Sequence, residues 1–373
     1  MQKYQGGIIR KYNILALAGD GVGPEIMGEA LRLLEEIEPS LEFEIDIQED
    51  LLHGQAWDEY GTFCRDETVT AAKSSDAVLV GAVGGEKWDN ILPEGKPEEK
   101  DGLMRLRKEL GVFAGLRPAW ASESLLSTTS FKAEYIEGVD ILVLRELCGG
   151  TFFSNPRGVK TIDNGQQVGI DTTVYTTDEI VRHSKVGFEL ARQRRKNLVS
   201  VDKANVMESG VLWRKVVTDL SKDFPDVKLR HLYADNCAYQ LAKNPRQFDV
   251  ILTDNLFGDL LSDLAGALTG SLGMLPSASL SSLTNDPAMD APGIFEPVHG
   301  TAPDIAGQGI VNPLGMFLSL GMMFKYGFGY PGAAEKLRSS VEITLSKGVK
   351  TRDIGGNAST SEMTDAVIQA WKE

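Results

Sequence analysis

Short apolar segments alternate with amphipathic segments along the chain, and this alternation restricts the fold more than any other sequence feature. Residues 13–18 have the composition of a buried strand, and residues 26–37 repeat apolar side chains at helical spacing. The same order returns with residues 41–48 as a strand, 68–74 as a helix and 77–80 as another buried strand. Strands that alternate with helices form a mainly parallel sheet whose faces the helices cover. We therefore predict an α/β fold.

Length and composition narrow the class of protein. A chain of 373 residues exceeds the usual size of a single core, so we predict two domains. The formal charge of −15 argues against a nucleic-acid-binding surface. Cys64, Cys148 and Cys237 lack the spacing of a zinc site and fit a reducing compartment. The first dozen residues lack the apolar core of a secretory signal, and the apolar run 316–324 is too short to cross a bilayer, so we expect a cytoplasmic protein.

A carboxylate-rich segment, residues 253–263, follows a predicted buried strand at residues 248–252. If this segment begins a helix, Asp259 and Asp263 lie one turn apart on the same face, where their charges repel. A solvated face tolerates such a pair, whereas a closed site requires a cation between the two carboxylates. Taken alone, the pair is more often two solvated aspartates than a metal site.

Three arginines lie on neighbouring predicted elements. Arg107 lies in a helix predicted for residues 103–110, Arg117 lies in the strand after it, and Arg145 closes the buried run 139–144. A guanidinium at the end of a buried strand must find an anion or water. Three converging guanidinium groups would bind a dicarboxylate or tricarboxylate, although each could instead form an ordinary salt bridge.

Other polar residues follow predicted strands farther along the chain. Lys203 is a candidate base if burial lowers its pKa, and an ordinary surface lysine is the alternative. Asp235 repeats the pattern of a carboxylate at a strand end. Residues 147–175 alternate like strands and show little helical pattern, which predicts a protruding antiparallel arm of the kind that pairs across a dimer axis.

Two glycine-rich loops are candidates for ligand binding. The loop at residues 19–25 has the pattern G-x-G-x-G-P, which departs from the G-x-G-x-x-G of a Rossmann nucleotide site. A structural turn between a strand and a helix is therefore at least as good an interpretation as a nucleotide-binding loop. Residues 295–313 contain too many glycines and prolines for regular structure. We predict that this second loop holds a fixed shape around a ligand.

Taken together, the motifs resemble those of the β-decarboxylating dehydrogenases, the isocitrate/isopropylmalate dehydrogenase family. The resemblance covers nearly the whole chain and rests on five blocks in order: GDGVGPE from Gly19, LRKELGVFAGLRP from Leu106, VDKANV from Val201, DNLFGDLLSDLAGALTGSLGMLPSASL from Asp254, and EPVHGTAPDIAGQGIVNP from Glu296. It implies two α/β domains that share a continuous mixed sheet, with a nucleotide site that is not of the Rossmann type. Residues 1–111 and 270–373 would form the cofactor domain, and residues 112–269 the substrate, metal and dimerisation domain.

The resemblance also implies an activity, namely NAD-dependent oxidative decarboxylation of 3-isopropylmalate, as in leucine biosynthesis, by a homodimer with shared active sites. It assigns the substrate carboxylates to Arg107, Arg117 and Arg145. It assigns Mg²⁺ or Mn²⁺ to Asp259 and Asp263 together with Asp235 of the partner subunit, and removal of the hydroxyl proton to the partner subunit's Lys203.

For the cofactor, the resemblance assigns a set of loop residues: His299, Gly300, Thr301, Ala302, Pro303, Asp304, Ile305, Asn312 and Asp353. A carboxylate at Asp304 would accept hydrogen bonds from both ribose hydroxyls and would repel a 2′-phosphate. We therefore expect NAD and not NADP.

Two positions bear on the reaction and the substrate. Phe152 stands where the family has a tyrosine that protonates C3, and phenylalanine has no proton to donate, so a catalytically impaired binding or regulatory homologue is an alternative. Leu103 and Met104 occupy the helix face on which isocitrate enzymes carry polar groups. Apolar side chains there favour an apolar substituent on C3, and the flexibility of Met104 leaves a bulkier alkyl or benzyl group open.

Overall fold

The protein is built on one large sheet. In the computed structural model, which describes residues 10–92, 95–283 and 292–373, ten strands form a mixed sheet and two form a separate hairpin. In chain order the strands are β1 (Arg10–Gly19), β2 (Phe43–Asp50), β3 (Ala77–Ala82), β4 (Ala114–Trp120), β5 (Asp140–Glu146), β6 (Gly158–Thr161), β7 (Gln167–Ile170), β8 (Asn197–Asp202), β9 (Lys228–Tyr233), β10 (Val250–Thr253), β11 (Pro276–Leu280) and β12 (Gly293–Pro297).

The large sheet has parallel flanks and an antiparallel centre. Its strand order is β2, β1, β3, β12, β11, β4, β5, β10, β8 and β9. The neighbouring pairs β12–β11, β11–β4 and β4–β5 are antiparallel, and the remaining neighbouring pairs of the sheet are parallel. Parallel neighbours need helical crossovers, which the alternating sequence pattern supplies. The predicted α/β fold with a continuous mixed sheet is confirmed.

Helices cover both faces of the sheet. Within the described residues they are α1 (Gly23–Ile37), α2 (Gly54–Tyr60), α3 (Asp66–Ser74), α4 (Pro97–Lys100), α5 (Gly102–Leu110), α6 (Ala133–Ile136), α7 (Thr177–Arg192), α8 (Glu208–Leu220), α9 (Ala234–Lys243), α10 (Asn255–Gly266), α11 (Leu314–Met322), α12 (Pro331–Ser346) and α13 (Thr360–Lys372). None of them is both long enough and apolar enough to span a bilayer.

The apolar core differs between the two faces. On the first face, α1, α7, α8, α11, α12 and α13 pack in one continuous core against strand residues such as Leu79 and Leu144. On the second face there are two separate cores, one of α3 and α5 against β1 and β3, and one of α9 and α10 against β5, β8 and β10. The central antiparallel strands on this second face lie between those cores, which leaves room for a site.

The structure departs from the sequence prediction in several places. Strands β6 and β7 pair within the segment predicted as an antiparallel arm, and their pairing across a dimer axis stays a prediction. Asp235 lies in the first turn of α9 and not at a strand end, because β9 stops at Tyr233. The helix predicted for residues 314–324 changes at Met323 into a π-helical turn, Met323–Gly327. The short helices α2 and α4 are too brief for apolar periodicity to reveal them.

Candidate active site

Two of the three predicted arginines lie side by side on the second face of the sheet. In the β4–β5 register, Arg117 is opposite Val143 and Arg145 is opposite Gly115. Because Val143 belongs to the core of α9 and α10, both guanidinium groups point toward α10. Helix α10 can approach Arg145 closely only because it has Gly258, where a Cβ atom would lie 2.7 Å from the Arg145 side chain.

The side chains of α10 complete this cluster. Arg145 donates through Nε to Asn255 Oδ1 at 3.0 Å and through Nη1 to Asp259. Arg117 donates through Nη1 to Ser262 Oγ at 2.8 Å and to Asp259 Oδ1 at 3.3 Å. The sequence analysis did not identify Asn255 and Ser262, although both lie on the aspartate face of α10.

Arg107 reaches the same region from α5. Its Nη2 lies 2.5 Å from Glu296 Oε1 on β12, and both side chains are nearly buried. The sequence analysis missed Glu296 as a partner, since only the sheet order brings residues so distant in the chain together. Burial acts to lower the pKa of Arg107, but the charge of Glu296, its hydrogen bond and the charge of Asp101 together outweigh it, so the pKa is raised.

The electrostatics of the cluster favour an incoming anion. Burial, reinforced by the charge of Arg117, lowers the pKa of Arg145 to about 9. Burial also lowers the pKa of Arg117, with Asp259 opposing it and Arg107 adding to it. The negative charge near Arg117 and Arg145 is therefore too small to offset the burial of these two guanidinium groups. A dicarboxylate would supply the missing charge in a geometry suited to guanidinium groups.

The two aspartates of α10 could hold a divalent cation. Burial raises the pKa of Asp263, and the charge of Asp259 raises it further against the opposing charge of Arg117. The Asp263 carboxylate comes no nearer than 3.8 Å to Arg117 and keeps 59% of its side chain exposed. Carboxylate oxygens are the donors that Mg²⁺ and Mn²⁺ prefer, so this pair fits such an ion.

Lys203 and Asp235 form a second group within one chain. Lys203 Nζ lies 2.5 Å from Asp235 Oδ1, and this contact lowers the pKa of the aspartate. Among residues 10–92, 95–283 and 292–373, no three or more His, Cys, Asp or Glu side chains gather closely enough to hold a metal. Within one chain, therefore, Asp235 does not join Asp259 and Asp263.

A large cleft lies beside the loop that was predicted to bind the cofactor. Its volume is about 560 Å³. Of the predicted residues, His299, Gly300, Ala302, Ile305, Asn312 and Asp353 line it, whereas Thr301, Pro303 and Asp304 do not. The loop at residues 19–25 packs against it, since Val22 N–H donates to Thr301 O at 2.9 Å. Val22, Ile310 and Val311, which also line it, lie in the two loops proposed as candidates for ligand binding, whereas Ser271, Leu272, Gly273 and Arg352 were not predicted.

The polar groups of this cleft suit a nucleotide. His299 Nε2 is buried and has no hydrogen-bond partner within the part of the chain that the structure describes. Burial lowers the pKa of His299, so a neutral imidazole is favoured. Asn312 Nδ2 donates to Asp353 Oδ2 at 2.9 Å, and this bond orients both side chains. An adenosine group would satisfy the unpaired imidazole nitrogen, so the residues fit a dinucleotide.

A second cavity of about 350 Å³ adjoins the arginine cluster. Met104 and Phe152 both line it. The Phe152 ring centroid lies 5.6 Å from the Arg145 guanidinium carbon, which places this ring next to the predicted carboxylate site. Leu103 lies elsewhere, because its side chain packs in the core of α3 and α5. Of the two predicted residues Leu103 and Met104, it is therefore Met104 that lines this cavity.

A buried glutamate shapes the turn between Arg145 and Phe152. The side chain of Glu146 is fully buried, and its carboxylate accepts hydrogen bonds from Cys148 N–H at 3.1 Å and Gly149 N–H at 2.7 Å. Burial raises the pKa of Glu146 to about 7 despite these bonds. Burial likewise raises the pKa of Asp254, the N-cap of α10, to about 6.

We expect the contribution of Glu146 to the free energy of unfolding to fall as the pH rises from about 4.5 to about 7, because the folded protein retains a proton on Glu146 that the unfolded chain loses. This fall is about 3 kcal/mol, and the lowered pKa of buried His183 acts in the opposite direction over the same range. Urea titrations at several pH values should therefore show the fall as a difference between the natural protein and Glu146→Gln, in which the histidine contribution cancels. The exposed substitution Glu134→Gln should leave the fall unchanged. Identical pH dependence in Glu146→Gln and the natural protein would refute this assignment.

Comparison with known proteins extends these observations. The sequence profile described as isocitrate/isopropylmalate dehydrogenase matches residues 13–367. A 3-isopropylmalate dehydrogenase of Xanthomonas campestris pv. campestris (strain 8004) is 49% identical over 361 residues, which cover 96% of this chain and 99% of that protein. A 3-isopropylmalate dehydrogenase of Rhodospirillum rubrum is 51% identical over 342 residues, 91% of each chain.

Solved structures show the same similarity. An isocitrate dehydrogenase from Methylococcus capsulatus superposes with a TM-score of 0.85 at 27% identity and covers 97% of this chain and 100% of that one. A β-decarboxylating dehydrogenase from Thermococcus kodakarensis superposes with a TM-score of 0.77 at 30% identity and covers 97% and 96% of the two chains. The whole of the fold is therefore shared with these proteins.

Proposed function

The chain belongs to the isocitrate/isopropylmalate dehydrogenase family, and on that premise we propose that it oxidises 3-isopropylmalate with NAD and decarboxylates it to 4-methyl-2-oxopentanoate. Membership makes it a β-decarboxylating dehydrogenase. The arginine cluster carries the proposal of a dicarboxylate substrate. Arg117 and Arg145 face α10, and the negative charge near them is too small to offset the burial of their guanidinium groups. The names of the relatives support isopropylmalate as the substrate.

The arginines would bind the two carboxylates of the malate and hold it against the sheet. Arg145 is fixed by Asn255 and Arg117 by Ser262, so both guanidinium groups are oriented before a substrate arrives. Such preorganisation favours reaction over mere binding, because the groups need not rearrange. Arg107 can turn from Glu296 toward the substrate at the cost of one ion pair.

Asp259 and Asp263 would hold Mg²⁺ or Mn²⁺, and the cleft beside His299 would hold NAD. When bound, the metal would polarise the oxygen on C2 and NAD would accept the hydride from C2. Lys203 would take the proton of the C2 hydroxyl as a neutral amine, and Asp235 would hold the ammonium group that results. Loss of CO₂ then leaves an enolate whose C3 needs a proton.

We propose shared sites in a homodimer, with Lys203 and Asp235 supplied by the partner subunit. Support comes from the separation of Asp235 from the α10 aspartates within the described part of a single chain. The proposed domains are residues 1–111 with 270–373 for the cofactor, and residues 112–269 for substrate, metal and dimerisation. In this proposal the central antiparallel strands β11 and β4, which are neighbours in the sheet, would join the two domains.

A bulkier substituent on C3 is a second candidate, and one observation favours it. The cavity of about 350 Å³ next to Arg145 has a mixed lining, whose apolar side chains include Met104, Phe152, Trp88 and Leu92. Methionine adapts its shape to different partners, so a longer alkyl or a benzyl group could occupy this space. The chemistry at C2 and C3 would be unchanged.

Measuring NADH formation with 3-isopropylmalate, 3-butylmalate and 3-benzylmalate in the presence of Mg²⁺ tests both candidates. If kcat/KM is highest with 3-isopropylmalate, the first candidate function is supported. If it is highest with a larger C3 substituent, the second candidate function is supported. NADP in place of NAD is expected to lower kcat/KM, because the carboxylate of Asp353 in the lining of the cleft would disfavour a 2′-phosphate. Binding of NAD without turnover of any 3-substituted malate would overturn both and support an impaired binding homologue.

A further inference from the structure

His53 is a buried imidazole to which the reaction outlined above gives no role. Its side chain is 8% exposed, and Nδ1 lies 2.9 Å from Oδ2 of the buried Asp20. The imidazole ring lies against Phe63, with ring centroids 4.9 Å apart, and meets Trp88 edge-on at 6.3 Å. Both contacts fix the plane of the ring, so His53 can present only one nitrogen to its surroundings.

Asp20 acts as a fixed anion beneath this imidazole. Besides His53, its carboxylate accepts hydrogen bonds from Gly54 N–H at 3.1 Å, Gln55 N–H at 3.0 Å and Gly84 N–H at 3.0 Å. The contact between Asp20 and Nδ1 orients the imidazole, as the carboxylate does in acid–base dyads. Because this contact uses Nδ1, Nε2 is the ring nitrogen left for other contacts.

The backbone at His53 is strained. Its φ of 57° and ψ of −121° lie in a region that favours glycine, and yet the residue carries a side chain. Such conformations persist where surrounding contacts enforce them, and they concentrate at functional sites. A glycine here would fit the backbone better, so the imidazole is retained at a cost in stability.

His53 lines the same cavity as Phe152 and Met104. Among the residues that the structure describes, the other ionisable side chains of its lining are Asp89, Lys100, Asp101 and Arg157. Asp101 is the N-cap of α5, and its carboxylate accepts hydrogen bonds from the N–H groups of Leu103 and Met104. Arg157 donates to Phe152 O, and guanidinium and ammonium groups hold their protons too tightly to be efficient donors near neutral pH. Imidazole is the lining group whose ordinary pKa suits proton donation.

We infer that His53 delivers the proton to C3 in place of the tyrosine that this chain lacks at Phe152. The inference rests on the proposed function. After CO₂ has left, C3 of the enolate takes the proton from Nε2 of the imidazolium and the C2–O bond becomes a carbonyl. His53 is left neutral and regains a proton from water that enters the cavity. Asp20 remains ionised throughout.

Exchange of the C3 protons of 4-methyl-2-oxopentanoate in D₂O, followed by NMR with enzyme and Mg²⁺ but no NAD, isolates this proton transfer. His53→Gly relieves the backbone strain, so we expect it to fold and to bind NAD normally. Its enzyme-dependent exchange rate should drop roughly 10²- to 10⁴-fold. Added imidazole should restore part of the rate, and so should Phe152→Tyr in the His53→Gly background.

The outcomes separate the inference from the proposed function. Exchange by His53→Gly at the rate of the natural protein would overturn the inference and leave the proposed function standing. A slowed exchange that neither imidazole nor Phe152→Tyr restores would also overturn it, because a structural role would then account for the loss. If the natural protein neither turns over a 3-substituted malate nor promotes exchange, the proposed function itself fails.

Discussion

Replacing Arg145 with lysine should lower kcat/KM for the malate substrate roughly 10²- to 10³-fold, a loss of about 3 to 4 kcal/mol. The Arg145 guanidinium contacts Asn255 and Asp259 through different nitrogens while its side chain stays 7% exposed. An ammonium group cannot make both contacts and also meet a substrate carboxylate in a planar, two-pronged geometry. Steady-state kinetics and isothermal titration with substrate would measure the loss.

The matched control for this substitution is Arg192→Lys. Arg192 also contacts an aspartate through two nitrogens, at 3.0 Å and 2.8 Å from Asp226 Oδ1, but it lies on the surface at the end of α7. A change of less than threefold is expected there, because exposed ion pairs contribute little. If Arg145→Lys and Arg192→Lys have equal kcat/KM values, Arg145 does not bind the substrate carboxylate.

Some parts of the site could be predicted from local sequence alone. The spacing of apolar residues predicts α10, and with it the placement of Asp259 and Asp263 on one face. Likewise, the buried run before Arg145 predicts β5 and a guanidinium at its end. In both cases the information lies within one element, where periodicity determines the direction of each side chain.

Contacts between distant elements could not be predicted in this way. Arg107 meets Glu296 because β12 lies near α5 in the folded sheet, and no periodicity links residues 189 positions apart. The pairing of His53 with Asp20 depends on the turn before α2 and on an unfavourable φ, where sequence rules predict glycine. Leu103 and Met104 are adjacent, and yet one joins the core and the other a cavity, which depends on how α5 is rotated against the sheet.

Replacing Lys203 with methionine should lower kcat roughly 10²- to 10⁴-fold with little effect on folding, because the variant lacks the group that takes the hydroxyl proton. The Lys203 side chain is 26% exposed, and its partner Asp235 is 70% exposed, so no buried charge is left unpaired. Lys222→Met serves as the control, since Lys222 pairs with Asp219 on an exposed surface of the same half of the chain. Its kcat should equal that of the natural protein.

Mixing the two inactive variants tests whether the site is shared. In a dimer of one Lys203→Met chain and one Arg145→Lys chain, one site would contain both substitutions and the other neither. Random mixing should therefore restore about one quarter of the natural activity if Lys203 comes from the partner subunit. If Lys203 and Arg145 act within one chain, every site keeps one defect and mixing restores nothing. The separation of Asp235 from the α10 aspartates within the described part of one chain favours recovery.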